Sequence, residues 1–193
     1  MNTTPPKRII LVRHGHPAHV ERPGWIDADG VHRWRERYDA AGILPASAPP
    51  AELIAEAAQA ACVMTSDLAR AIASAERLAP GRSARVSPLL REMMLEIPQW
   101  VRTRLPLAAW EACIHVHWML QERRGRIASE EDLGRATQAV ALLEEVAQDA
   151  SPVVVVTHGA FRRLLDLQLV ANRWTAERRV GGYRNWSTWS YRR

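Results

Sequence analysis

Short apolar runs alternate along this chain with longer segments of helical periodicity. Four runs have the length and composition of strands, at residues 8–12, 62–65, 85–87 and 153–157. The last is β-branched throughout, and a continuous apolar run indicates a strand buried on both faces. The tail, residues 183–191, alternates aromatic and polar residues, which is typical of an edge strand.

Helical patterns fill most of the sequence between these runs. Predicted helices span residues 51–61, 67–78, 107–123, 129–148 and 161–172, with a short one at about 32–41. Strands separated by helices form parallel sheets that helices cover on both sides. The pattern therefore predicts a single α/β domain over residues 1–193, with a mostly parallel central sheet flanked by helices on both faces.

The segment 15–47 contains no strand-like run and is long for a connection between two elements. Long ordered connections usually act as lids or binding loops. Trp34 and Tyr38 lie one helical turn apart and are expected to fold part of the segment back onto the body. We therefore predict a substrate-side loop at 15–47, with residues 21–37 and 102–110 forming the rim of the site.

Composition narrows the class of protein. The chain has 193 residues, of which 47% are hydrophobic and 24% charged, as is ordinary for a globular protein of one domain. No apolar run approaches the roughly 20 residues of a membrane span, and no secretory signal precedes the first strand. Cys62 and Cys113 make no disulfide framework. These observations predict a cytoplasmic protein with no membrane partner.

The positive charge comes almost entirely from arginine. Lys7 is the only lysine among 26 basic residues, and the formal net charge is +5. The planar donor fork of arginine matches phosphate and carboxylate groups, so an anionic partner is expected, either a small phosphorylated compound or nucleic acid. Trp186 and Trp189, near the basic end of the sequence, can stack on bases. Core packing explains tryptophans better, and nucleic acid is not expected as a partner.

Reactive and cationic residues directly follow three of the predicted strands. Arg13-His14-Gly15 follows the first, Arg70 lies in the first turn of the helix after the second, and His158-Gly159 follows the last. Ligands of parallel α/β sheets bind at the carboxyl ends of the strands, where these residues are expected to meet. Helix N-termini after Ser66 and Gly159 add free N–H groups. The arrangement suits a dianionic phosphoryl group.

These residue types indicate phosphoryl transfer through a covalent intermediate. A neutral imidazole is a competent nucleophile when its other nitrogen is held as a donor. Arginines and a second, protonated histidine are expected to hold the equatorial oxygens of the transferring group. An acid must protonate the leaving oxygen. Glu92, which lies among apolar residues just beyond a candidate strand, is one candidate, and nearby Glu96 is another.

Three motifs carry a resemblance to a known family. Leu11-Val12-Arg13-His14-Gly15 resembles the signature of the histidine phosphatase superfamily, the phosphoglycerate mutase-like enzymes. Residues 65–71 are similar to the second arginine motif of that family, and residues 155–159 to its second histidine motif. The resemblance implies a phosphoglycerate mutase-like fold, a phosphohistidine on His14, no metal and no cofactor. It also implies a phosphate pocket of Arg13, His14, Arg70 and His158, with Glu92 as proton donor.

The sequence departs from the family pattern on the substrate side. His16 stands where Glu or Gln is usual, and Val20 stands where many members place an Asn. The helix after Arg70 lacks the Gln-Thr pair that many relatives carry. These differences leave the four residues of the implied phosphate pocket intact.

Cys113, His115 and His117 suggest a metal site, because on a strand they would share one face with Glu111. The apolar residues around them follow helical spacing instead. On a helix, residues two positions apart do not face each other. No metal site is therefore predicted.

The function predicted is that of a histidine acid phosphatase-like phosphomonoesterase that needs no metal and acts on a small phosphorylated metabolite. A phosphohistidine protein is an alternative substrate. Mutases of this fold are generally longer, and the short stretch between Glu92 and His158 favours a phosphatase. The alternatives are phosphoglycerate mutase-type transfer and a non-catalytic member that binds an anion or nucleic acid. The sequence does not indicate an oligomeric state.

Overall fold

A six-stranded sheet and six helices organise residues 6–193, the part of the chain that this computed structural model describes. The strands are β1 (Arg8–Arg13), β2 (Trp25–Ile26), β3 (Cys62–Thr65), β4 (Arg85–Val86), β5 (Leu105–Pro106), β6 (Val153–Thr157), β7 (Thr175–Val180) and β8 (Thr188–Arg192). The helices are α1 (Ala28–Ala40), α2 (Ala51–Ala58), α3 (Ala69–Leu78), α4 (Leu107–Arg123), α5 (Glu130–Asp149) and α6 (Gly159–Ala171). Strands β2 and β5 form a separate small sheet.

The main sheet has the strand order β4-β3-β6-β1-β8-β7. Strands β4, β3, β6 and β1 are parallel, while β8 is antiparallel to β1 and β7 to β8. Val156 in β6 is in register with Val12 in β1 and with Thr65 in β3. The carboxyl ends of these three strands therefore align, and the prediction of a mostly parallel α/β sheet is confirmed.

Alternate residues of the central strands pack on opposite sides of the sheet. Ile9, Leu11, Val153 and Val155 join the core formed with α5 and α6. Ile10, Val12, Val154 and Val156 join the core formed with α2 and α3. All eight side chains are fully buried, and each contributes about 1.5–3 kcal/mol through removal of apolar surface from water. Helices on both faces are what the continuous apolar runs of β1 and β6 predict.

The prediction for the tail is wrong in one respect. Strand β8 lies between β1 and β7, so it is an interior strand and the edge strand is β7. Every residue of β7 is exposed, and its sequence has no apolar run that would have predicted it. Residues 183–187 are not part of the strand, and within them Trp186 adopts a left-handed φ of 60°.

The segment 15–47 contains more regular structure than its sequence suggested. Its helix, α1, begins earlier than predicted, where the Asp27 side chain accepts a hydrogen bond of 2.9 Å from the Gly30 N–H. Strand β2 pairs with β5 and so ties the segment to the start of α4. Across residues 6–193, no helix combines the length and the apolar character that crossing a membrane requires.

Candidate active site

Four predicted site residues meet at the carboxyl ends of the parallel strands. The ring centroids of His14, after β1, and His158, after β6, are 5.1 Å apart. Arg70, near the start of α3, donates from Nε to Nε2 of His14 over 3.3 Å. The guanidinium of Arg13 packs against Gly159, where an added Cβ would lie 3.2 Å from its Nε. The structure thus brings Arg13, His14, Arg70 and His158 together, as the sequence predicted.

The tautomer of His14 is set by its neighbour in the chain. Its Nδ1 lies 2.8 Å from the carbonyl oxygen of Gly15, which can only accept, so Nδ1 carries the proton. The other ring nitrogen, Nε2, is left with its lone pair and faces the Nε–H of Arg70. The His14 side chain is buried. A buried neutral imidazole with one nitrogen fixed as a donor and the other unprotonated is suited to nucleophilic attack.

The backbone at His14 is held by residues that no sequence motif identified. The side-chain amide of Asn185 donates to the carbonyl oxygens of His14 and Gly15 over 2.9 and 3.0 Å. The Gly15 N–H donates to Ser74 Oγ over 2.8 Å. A Cβ on Gly15 would lie 2.5 Å from the indole of Trp186, so only glycine fits there. These contacts fix the direction of the His14 side chain.

His158 lies fully buried at the N-terminus of α6. Its Nε2 is 2.8 Å from the hydroxyl of Ser66, which also accepts a hydrogen bond from the N–H of Leu68. Within residues 6–193, Nδ1 of this ring has no hydrogen-bond partner. One nitrogen is therefore oriented by Ser66, and the other is available to an oxygen of a bound group.

The surroundings of both histidines favour the neutral form of the ring. Burial, followed by the guanidinium groups of Arg70 and Arg13, holds the pKa of His14 well below its ordinary value. Burial, followed by His14 and the same two guanidiniums, does the same to the pKa of His158. Protonation of His158, which we expect around a phosphoryl group, is therefore disfavoured in the free site, first by burial and then by the neighbouring charges. A dianion beside His158 would favour its protonation.

Arg70 has a carboxylate partner that sequence reasoning missed. Its Nη1 donates to Asp39 Oδ1 over 2.8 Å, and its guanidinium lies over the ring of Tyr38 at 4.5 Å. Tyr38 and Asp39 belong to α1, so the segment 15–47 contributes directly to the site. Arg13 donates from Nη1 to the Tyr183 carbonyl, while its buried Nε has no hydrogen-bond partner in the described chain.

The carboxylate of Glu92 is bound to the start of α6. It accepts hydrogen bonds from the N–H of Phe161 over 2.7 Å and from that of Ala160 over 3.4 Å. One expectation is thereby corrected. The N–H groups of Ala160 and Phe161 contact the oxygens of Glu92, so these N–H groups of α6 are not free for a phosphate. The Glu96 side chain is 64% exposed and its carboxylate lies 3.3 Å from His117 Nε2, outside this cluster.

A cavity of about 800 Å³ opens beside these residues. Arg13, Arg70 and Glu92 line it together with residues of α1, α4 and the segment 93–95. Within the predicted rim, residues 21–37 contribute Val31, Trp34 and Arg35, and residues 102–110 contribute Leu107 and Trp110. The volume lies within the range typical of sites for small ligands.

Cys113, His115 and His117 lie on α4, as their helical spacing predicted. The His115 ring is bound to the carbonyl oxygen of Glu111 over 2.7 Å, and the His117 ring contacts Glu96. In the part of the chain from residue 6 to residue 193, no three His, Cys, Asp or Glu side chains are grouped as metal ligands would be.

Comparison with known proteins gives a family match and a shared fold. The histidine phosphatase superfamily (branch 1) matches residues 9–188. A mycobacterial glucosyl-3-phosphoglycerate phosphatase, solved with VO3, is 20% identical, with 95% of this chain and 92% of that chain covered and a TM-score of 0.57. A phosphoserine phosphatase from Entamoeba histolytica, solved with 3-phosphoglyceric acid, is 16% identical, with 95% and 89% covered and a TM-score of 0.54. No curated protein matches the chain.

Proposed function

The chain belongs to the histidine phosphatase superfamily (branch 1), and we propose that it hydrolyses a phosphate monoester through a phosphohistidine on His14. The observation that carries the proposal is the fixed tautomer of His14, whose Nδ1 is bound to the Gly15 carbonyl while Nε2 keeps its lone pair beside Arg70. A nucleophilic imidazole needs this arrangement, since a protonated Nε2 could not attack phosphorus.

The reaction proceeds in two displacements at phosphorus. In the first, His14 Nε2 bonds to phosphorus as the bond to the alcohol oxygen breaks, and Glu92 gives that oxygen its proton. In the second, water attacks the phosphohistidine, Glu92 takes a proton back, and inorganic phosphate leaves. The guanidiniums of Arg13 and Arg70 and the ring of His158 hold the three non-bridging oxygens. Their positive charge stabilises the transferring group without a metal ion.

Asp39 occupies the place of the substrate anion on Arg70 in this mechanism. Its carboxylate is 40% exposed, whereas the guanidinium it contacts is 1% exposed. A bound phosphoryl group with two negative charges attracts Arg70 more strongly than a single carboxylate does. Substrate binding then exchanges one anion for another and leaves no buried cation unpaired.

Glu92 is a better proton donor than Glu96 on geometric grounds. Glu92 lines the cavity that Arg13 and Arg70 also line, whereas Glu96 contacts His117. Hydrogen bonds from the first turn of α6, the helix that His158 precedes, hold the Glu92 carboxyl at the start of that helix. A general acid must be within hydrogen-bond reach of the leaving oxygen, and a fixed carboxyl in the cavity meets that condition.

We further propose that residues 1–193 form one domain in which 15–47 is the substrate-side segment, since α1 carries Tyr38 and Asp39 to Arg70. The substrate is a small phosphorylated compound, and the enzyme is cytoplasmic and of the acid phosphatase type. Two proteins with the same fold have names that describe phosphatases. Those names support the proposal as analogies of fold.

The test is hydrolysis of phenyl phosphate by the wild-type protein, by His14→Ala and by His32→Ala. His32 is exposed on α1 and serves as the matched control. We expect turnover by the wild type and the control, undiminished by EDTA, and a loss of at least ~10³-fold in His14→Ala. A quenched reaction should give a phosphorylated protein that is stable in alkali and labile in acid. Turnover surviving in His14→Ala, or an alkali-labile adduct, would contradict the assignment.

A further inference from the structure

The wall of the cavity away from Arg13 and Arg70 is largely apolar and aromatic. Helix α1, the segment 93–95 and helix α4 supply it, and its largest side chains are Trp34, Met94, Trp110, Trp118 and Met119. A phosphoryl group bound to the two arginines would occupy one end of the roughly 800 Å³. The remaining space must accommodate the alcohol portion of the substrate.

The three tryptophans of this wall have no N–H group left for a ligand. The indole of Trp34 donates to the Glu21 carbonyl, that of Trp110 to the Ile26 carbonyl and that of Trp118 to the Ile127 carbonyl, over 2.8, 2.8 and 2.9 Å. Trp110 is fully buried, so the wall offers a ligand only carbon surface of Trp34 and Trp118. Hydroxyl groups buried against such a wall would lose hydrogen bonds to water without replacement, which is costly.

Charged side chains on the outer wall are mostly paired with neighbours. Glu122 contacts Arg163 at 3.1 Å, and Arg91 contacts Asp67 at 2.6 Å. Arg35 also lines the cavity and forms no ion pair with any residue in 6–193. It is the side chain that could bind a second anionic group, so carboxylated phosphates belong among the compounds tested.

Two methionines on the cavity wall expose apolar surface to solvent. Met94 is 63% exposed and Met119 is 50% exposed. Methionine is flexible and polarizable, so it adapts to apolar ligands of varied shape. Exposed apolar surface that continues into a cavity usually marks a place where an apolar group binds. A substrate with an apolar skeleton would cover both side chains.

We infer that the substrate is a phosphate monoester of a large apolar alcohol, whose carbon skeleton lies between α1 and α4 while its phosphate rests on Arg13 and Arg70. The inference rests on the proposed phosphatase function and adds the class of alcohol. Sugar phosphates are disfavoured, because the aromatic wall offers carbon surface where they carry hydroxyl groups. Small carboxylated phosphates, whose carboxylate Arg35 could bind, are the rival class that the experiment must separate.

The test compares primary alkyl phosphates, whose leaving alcohols have nearly the same basicity. Ethyl, butyl and hexyl phosphate are assayed beside 3-phosphoglycerate, phosphoserine and glucose 6-phosphate. Each methylene transferred from water to an apolar site is expected to raise kcat/KM about fourfold, and hexyl phosphate to exceed ethyl phosphate on the order of 100-fold. A flat chain-length series, or a preference for any of the three polar compounds, would overturn the inference.

Near-isosteric polar substitutions test which part of the cavity wall produces the preference for long alkyl chains. Met94→Gln and Met119→Gln are each expected to lower the hexyl-to-ethyl ratio of kcat/KM about threefold to tenfold, because they remove apolar surface from the wall. Leu120→Gln is the matched control, since Leu120 lies next to Met119 on α4 and is 45% exposed but does not line the cavity. An equal effect of Leu120→Gln would contradict the placement of the alcohol between α1 and α4.

The two proposals fail in different ways. Hydrolysis of ethyl phosphate that His14→Ala abolishes supports the phosphatase function whatever the chain-length series gives. If no phosphate ester is hydrolysed, the phosphatase function fails, and binding of ethyl and hexyl phosphate measured by calorimetry still tests the apolar wall. Hexyl phosphate must then bind more tightly by the same factor on the order of 100, and equal affinities would refute the inference.

Discussion

Asp39 and Arg70 form an ion pair of 2.8 Å at the candidate site. The same guanidinium donates to the nitrogen of His14 that would attack phosphorus, over 3.3 Å. Arg70 therefore contacts the proposed nucleophile with one N–H and binds the Asp39 carboxylate with another. In the proposed mechanism the substrate phosphate displaces that carboxylate, so the competition between the two anions is expected to set how tightly phosphate binds.

Removing the competing carboxylate should tighten phosphate binding. In Asp39→Asn, we expect KM for phenyl phosphate and the inhibition constant of inorganic phosphate to fall together, about threefold to tenfold, because Asp39 is partly screened by water. Steady-state kinetics with added phosphate measures both. Glu36→Gln makes the same change of charge at an exposed site on α1 and should alter neither constant. A rise in both constants in Asp39→Asn would show that Asp39 helps to hold the substrate.

The lowered pKa values of His14 and His158 predict rings that stay neutral in mildly acidic solution. In the free protein, NMR signals of these two rings should not shift between pH 7.5 and about pH 6, whereas a histidine in a short peptide titrates near pH 6.5. The nucleophile therefore remains competent below the ordinary histidine range. Titration of either ring near pH 6.5 would refute the electrostatic description of the site.

The lowered pKa values of His14 and His158 also make the free energy of unfolding depend on pH. Below about pH 6.5 the unfolded chain binds protons at these two positions that the folded protein does not. The free energy of unfolding should therefore decrease as the pH is lowered below about 6.5, by up to ~1.4 kcal/mol per pH unit for each ring. The decrease ends when the pH reaches the folded-state pKa of that ring. Urea unfolding at pH 7 and pH 5.5 measures the slope. His158→Asn should make it shallower, and an unchanged slope would count against a neutral buried His158.

Two substrates whose leaving groups differ in basicity test whether Glu92 protonates the leaving oxygen. Glu92→Gln should lower kcat/KM, which reports the formation of the phosphohistidine, about 10²-fold or more for ethyl phosphate, because the alkoxide leaves without a proton. With p-nitrophenyl phosphate, whose leaving group needs no proton, the loss should be much smaller. The amide oxygen of Gln can still accept from the Phe161 N–H, so the start of α6 is preserved. Glu96→Gln is the control, and equal losses in the two variants would reopen the choice of acid.

Asn185 should act on catalysis by holding the backbone of the nucleophile. Asn185→Ala removes two hydrogen bonds, to the carbonyls of His14 and Gly15, and we expect the free energy of unfolding to fall by about 1–3 kcal/mol. Because the loss loosens His14 rather than the arginines, kcat should fall about tenfold with little change in KM. Arg184→Ala, at an exposed neighbouring position, is the control. A change confined to KM would contradict this role.

The contact between Gly15 and Trp186 predicts that substitutions at these two positions have non-additive effects on the free energy of unfolding. In Gly15→Ala the new methyl group meets the indole, and overpacking of this kind costs about 1–3 kcal/mol. Trp186→Phe removes part of the indole that the methyl group meets, while Ser47 Oγ stays 2.7 Å from the added Cβ, so Gly15→Ala should cost less, but not nothing, in that background. Urea unfolding of the four proteins gives the interaction energy. Strict additivity would show that the glycine is required for another reason.

The pocket residues that the sequence predicted share one property, their place in the chain. Arg13 ends the buried strand β1, His14 and His158 directly follow buried strands, and Arg70 lies in the first turn of a helix after one. A parallel sheet therefore brings them together at one edge. Strand β6 and helix α4 have the predicted boundaries because their apolar patterns are unbroken.

Residues that act through long-range polar contacts could not be found in this way. Asn185 reaches His14 across 171 positions of sequence, and Asp39 reaches Arg70 across 31. Nothing in the local sequence of a polar residue specifies a partner so far away. The edge strand β7 escaped prediction for a related reason, since its exposed residues carry no apolar pattern and only pairing with β8 makes it a strand.

The strand that carries the nucleophile has both of its sheet neighbours late in the sequence. Strand β1 pairs with β6 on one side and with β8 on the other, through residues 153–157 and 188–192. During synthesis, a chain of fewer than about 150 residues therefore contains His14 but lacks every strand that would support it. Activity should appear abruptly as β8 joins the sheet, and a stop codon shortly before Thr188 should abolish it even though every catalytic side chain has been made.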